Sequence, residues 1–154
     1  MKMGKFGCAA VLWFATAAGP VLAHDMGGHA EWGAFGQPGK PGAVTRTISV
    51  TAGDMRYSIK TLDVMRGETI RFVVTNRSPS KHEFVIGNRA FHANHIKEME
   101  AMPDMPMDEA NSMDLRPGET KVLLWQFTKA GEFLFGCDIP GHFQAGMVGT
   151  LHVQ

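Results

Sequence analysis

A succession of short β-branched and aromatic segments, each closed by a Gly- or Pro-containing turn, dictates the fold class of residues 44–154. Thr45 to Thr51 alternates, with Val44, Ile48 and Val50 on one face, and Thr69 to Thr75 is rich in residues that suit a pleated surface. Further strands are expected at Glu83 to Ile86, Lys121 to Phe127, Gly131 to Gly136 and Gly146 to Val153. Arg66-Gly67, Arg116-Pro117-Gly118 and Ala130-Gly131 punctuate them. Short strands at this spacing build an all-β, antiparallel sandwich or barrel. With 154 residues, 44% of them apolar, the chain has material for one core.

The segments before residue 44 have a different texture. Residues 1–23 carry Lys2 and Lys5, an apolar stretch from Cys8 to Ala18 and the small-residue site Val21-Leu22-Ala23, the pattern of a cleavable export signal. The apolar stretch falls short of the ~20 residues needed to span a bilayer, and Gly19-Pro20 interrupts it. Cleavage after Ala23 leaves a periplasmic chain without a membrane span, with 13 basic and 15 acidic residues, because the signal holds two lysines and no acid. Basic residues are scattered, which argues against a nucleic-acid partner. Residues 24–43, with six glycines and two prolines, are expected to form a flexible leader.

The mature chain keeps a single cysteine, Cys137, in a compartment where cysteines usually pair. Taken alone, a lone Cys is more often a buried hydrophobe than a ligand. Its setting argues otherwise. Cys137-Asp138-Ile139-Pro140-Gly141-His142-Phe143-Gln144-Ala145-Gly146-Met147 places a thiolate, an imidazole and a thioether at C-x4-H-x4-M spacing between two expected strands. Copper suits two imidazoles and a thiolate with a weak axial thioether, whereas zinc takes four short bonds. The second imidazole must come from elsewhere, and His82 is the best candidate because it opens a strand after the loop Asn76 to Lys81.

This string resembles the copper loop of the cupredoxins. The resemblance extends upstream through Gly67-Glu68-Thr69 to Thr75-Asn76 and then His82-Glu83-Phe84, and covers about residues 44–154. It implies a Greek-key β-sandwich holding one type 1 copper, with His82 and His142 as imidazole ligands, Cys137 as thiolate and Met147 as weak axial ligand. It also implies that the Glu83 N–H donates to the Cys137 sulfur and that Asn76 braces the ligand loops. Gly136 and Asp138 flank Cys137 where a multicopper oxidase has histidines, and the loop lacks the second cysteine of a binuclear copper centre.

Residues 87–114 form an insertion too long for an ordinary hairpin. Asn88 to Met102 is expected to be helical, and Pro103 and Pro106 prevent its continuation. His92, His95 and Met99 share one helical face, and Met102, Met105, Met107 and Met113 follow among acids. Thioethers select Cu(I) and imidazole accepts either state, so these residues are candidate auxiliary copper ligands. Otherwise the methionines fill a core or pack a lid. His24 and His29 at the processed terminus are a third, weaker cluster. The set resembles periplasmic copper-tolerance cupredoxins that handle copper; the alternative is a soluble electron carrier. No second redox centre is legible, so the chain is expected not to be an enzyme and to act as a monomer with copper ions and a periplasmic redox or copper-export partner.

Overall fold

A computed structural model describes residues 33–103 and 109–154. The expected signal, His24, His29, Met105 and Met107 lie outside the described residues. Among the described residues ten strands form two five-stranded sheets. They are β1 (Gln37–Pro38), β2 (Arg46–Gly53), β3 (Arg56–Tyr57), β4 (Thr61–Val64), β5 (Thr69–Asn76), β6 (His82–Gly87), β7 (Ser112–Leu115), β8 (Thr120–Gln126), β9 (Gly131–Gly136) and β10 (Val148–Val153). One sheet runs β1-β8-β5-β2-β3 and the other β4-β10-β9-β6-β7. The chain repeatedly changes sheet, so most neighbours are not consecutive, and two pairs, β2–β5 and β4–β10, are parallel rather than antiparallel.

The inward faces meet in an aromatic core. Phe72, Phe84, Trp125, Phe127 and Phe135 are all fully buried. Phe84 on β6 lies 5.4 Å from Phe72 of the opposite sheet and 5.5 and 5.6 Å from Tyr57 and Phe135, so one ring joins both layers. Every residue of β6 is buried, because β7 and β9 flank it and the helix α1 (Arg89–Ala101) packs on β6 and β9.

The helix follows the expected bounds. The Asn88 side chain caps it by accepting from Phe91 N at 2.8 Å, and Met102 closes it ahead of Pro103. Phe91, His92, His95, Ile96 and Met99 are its buried residues, so the shared His/Met face looks into the protein. Among the described residues no helix is long and apolar enough to cross a membrane.

The described end of the Gly-rich tract, residues 33–43, is tied to the sandwich. Gln37 and Pro38 pair with β8, and Phe35 is fully buried, stacked 5.6 Å from Trp125 and edge-on 5.5 Å from Phe91. One buried aromatic supplies the apolar area that the glycines lack, and this fixes the described end of the leader.

Candidate metal centre

The β9–β10 connection is shaped by its glycines. Gly141 and Gly146 have φ of 89° and 94°, left-handed values that side chains resist, and each directly precedes a candidate ligand. Backbone bonds from Met147 N to His142 O (3.1 Å) and from Cys137 N to Met147 O (3.0 Å) draw the three loop residues together. His82 enters from the neighbouring β6. One donor atom each of His82, Cys137 and His142 falls within 4.8 Å of the others, and the Cys137 Sγ lies 3.3 Å from His142 Nδ1. Met147 is fully buried beside them in sequence and backbone pairing.

The surroundings hold these groups in place. Asn76 Nδ2 donates to the carbonyls of Ser80 and Leu115, and its Oδ1 accepts from Ser78 N, which fixes the loop before His82. The Ser78 hydroxyl then lies 2.8 Å from His82 Nε2. His82 Nδ1, by contrast, is buried with no hydrogen-bond partner. An oriented imidazole with one buried, unused nitrogen beside a thiol is what a metal ligand requires, so the residues fit a copper ion. Glu83 N donates to Cys137 Sγ at 3.3 Å, and Tyr57 OH donates to the Glu83 carbonyl.

Burial sets the protonation states. Desolvation, with a smaller contribution from His142, lowers the His82 pKa, and desolvation lowers that of His142, so both rings are neutral donors at pH 7. Burial pushes the Cys137 thiol up to about 12, against the pull of the Glu83 and Ile139 N–H groups. Metal uptake at neutral pH must therefore displace one thiol proton. The apparent copper affinity is expected to rise about tenfold per pH unit between roughly pH 7 and 9, measured by competition with a chelator of known pH dependence. A flat profile would remove Cys137 from the ligand set.

The auxiliary candidates are dispersed. Met113 sits on β7 in the main core opposite Phe84, and Met99 is buried on α1, while Met102 is 43% exposed at the helix end. His92 Nδ1 lies 2.8 and 2.9 Å from the two Asp138 oxygens, and His95 Nε2 lies 3.1 Å from Glu83 Oε1. The two histidines thus turn to carboxylates rather than forming a solvent-facing entry site. All four side chains are buried. Burial raises the Glu83 pKa against the opposing effect of His95; burial alone would lower that of His95, but the Glu83 carboxylate reverses it and the net shift is upward. Sequence reasoning gave the Glu83 and Asp138 side chains no role. Their only signal is position, an acid directly after His82 and another directly after Cys137.

Comparison with known proteins agrees with this architecture. Residues 44–154 match the family described as copper binding proteins, plastocyanin/azurin family. The copper-resistant cuproprotein CopI of Rubrivivax gelatinosus is 44% identical over 155 aligned positions, covering 96% of this chain and 93% of its own length. The protein of the same name from Pseudomonas aeruginosa is 38% identical, with 79% and 83% covered. Among solved structures, reduced auracyanin of Roseiflexus castenholzii superposes with a TM-score of 0.63 at 28% identity, over 72% of this chain and 98% of that one. The sheet order, the buried unpaired imidazole nitrogen and the family match converge: the chain belongs to the plastocyanin/azurin family of copper-binding proteins, and copper is its metal.

Proposed function

We propose that this chain is an exported, periplasmic copper-handling protein of copper resistance, with one redox-active type 1 copper held by His82, Cys137, His142 and Met147. The observation that carries the reading is the convergence of two imidazoles and one thiol within 4.8 Å, with a buried His82 nitrogen left for a metal. Bound copper supplies a one-electron couple between Cu(I) and Cu(II). The protein's part is to hold soft and borderline donors ready in a fixed frame, shielded from water by the core. Similarity to proteins named as copper-resistant supports resistance over a plain electron carrier, and the Lys2/Lys5 and Val21-Leu22-Ala23 pattern supports export. The thioethers of Met102, Met105 and Met107, with His24 and His29, are the auxiliary copper donors in this reading.

The test is growth of a copper-sensitive bacterial host that exports the chain. Wild type is expected to raise the copper concentration tolerated, and His142→Ala to lose that gain at equal periplasmic abundance. Equal tolerance for host, wild type and variant would reject a resistance role and leave the carrier.

A further inference from the structure

The thiolate site is not the sole convergence of ligand atoms among the described residues. One donor atom each of Glu83, His95 and Asp138 lies within 4.8 Å of the other two, and all three residues are buried. Backbone pairing explains why. β6 and β9 are antiparallel with Val85 opposite Gly136. Beyond this last pair the chain runs past the end of β9 and brings Asp138 alongside Glu83, so two carboxylates come together under the helix. Like charges this close repel, and burial removes the water that would screen them. The pair needs positive charge, and among the described residues no Lys or Arg bonds to either acid; their side-chain partners there are His95 and His92.

A further observation shows that the histidines do not exhaust the cluster. Glu83 Oε2 is buried without a hydrogen-bond partner. Buried polar atoms are nearly always paired, so this oxygen marks unused capacity for a ligand. The donors define what it is. Two carboxylates and an imidazole suit a borderline divalent ion with bonds of about 2.0–2.2 Å, and they lack the sulfur that Cu(I) prefers. Two anionic ligands also cancel a double positive charge.

The geometry points to a second, buried cation site formed by Glu83, His95 and Asp138, with His92 positioning the Asp138 carboxylate, that takes a divalent ion, Cu(II) ahead of Zn(II). Copper(II) stands above zinc in affinity for nitrogen and oxygen donors. None of the three side chains is a ligand of the thiolate site, where Glu83 contributes only its backbone N–H, so this inference goes beyond the proposed function. Glu83 and Asp138 nevertheless follow His82 and Cys137 directly, so β6 and the connection after β9 serve both sites.

The experiment loads the mature protein with one equivalent of copper, followed by its visible thiolate absorption, and then adds Cu(II). After dialysis, total copper and the electron paramagnetic resonance spectrum are measured. The expected result is a second retained ion that adds a nitrogen/oxygen-type Cu(II) signal and no visible thiolate band. His95→Gln is expected to lose that ion while the first copper and its absorption persist, which also reports that this variant folds; Glu83→Gln is expected to lose it too, with circular dichroism reporting its fold, because Glu83 also serves Cys137 Sγ through its backbone N–H. His92→Gln should weaken it roughly 10- to 100-fold, the usual effect of an outer partner. Cys137→Ser should retain it, and so should a His24→Gln/His29→Gln double variant. A wild type that retains one copper overturns the proposal. So does a second ion that both His95→Gln and Glu83→Gln keep with unchanged affinity. Loss of the thiolate band in wild type would instead count against the type 1 reading and leave this site standing.

Discussion

Replacing Cys137 with Ser is expected to abolish the intense visible absorption of the copper-loaded protein and to weaken copper binding by more than the roughly 10- to 100-fold that loss of an outer-shell partner costs. The thiolate is the donor that copper does not share with solvent oxygen, and a Ser hydroxyl at the same place stays protonated and binds poorly. The substitution is otherwise mild. Ser is close to Cys in volume, and its oxygen can accept from the Glu83 N–H that now reaches Cys137 Sγ. Metal-free stability should therefore change by no more than about 2 kcal/mol. Titration with copper, followed by visible absorption and by chelator competition, separates the two effects. Equal spectra in wild type and variant would show that the thiol is no ligand at all.

Phe84→Ala is expected to be the most damaging single change to the fold. The ring is fully buried and touches rings from both sheets, so its loss removes apolar burial and leaves a void that Phe72, Tyr57 and Phe135 cannot all close. Such truncations cost about 3–5 kcal/mol. Domains of this kind have only about 5–15 kcal/mol in total. Urea unfolding of the metal-free protein should show a midpoint lower by at least about 1 M, with little change in slope. A fall below about 0.3 M would mean that Phe84 is not the tie between layers. Phe84 directly follows Glu83, whose N–H reaches Cys137 Sγ, so copper loading should also slow or fail in this variant.

The long strands and the ligand loop were open to sequence reasoning because their signals are local. β2, β5, β8 and β10 carry enough β-branched residues to display a period of two. The Cys137, His142 and Met147 spacing lies within one connection. Shorter elements were not legible. β3 and β4 have two and four residues, too few for any period, and β4 exists by pairing in parallel with β10, nearly ninety positions away. β7 was hidden in the insertion, and β1 in glycines whose partner, Trp125 with its neighbours, is distant in sequence. The helical face of His92, His95 and Met99 could be drawn from a period of 3.6, but not its direction. Glu98 and Glu100 made the segment look solvated as a whole. Likewise the Glu83–Asp138 approach depends on the β6–β9 pairing, which no local pattern encodes.

The insertion leaves β6 after Gly87 and returns at Ser112, whose ladder partner is Val85. Its two ends are therefore neighbours in one sheet, and everything between them is an excursion from a closed hairpin. Loop-closure cost grows slowly with length, so added residues cost such an excursion little, whereas α1, with Phe91, His92, His95, Ile96 and Met99 buried, is tied to the sandwich. Length can thus be added beside the metal cradle while the hairpin that carries His82 stays closed.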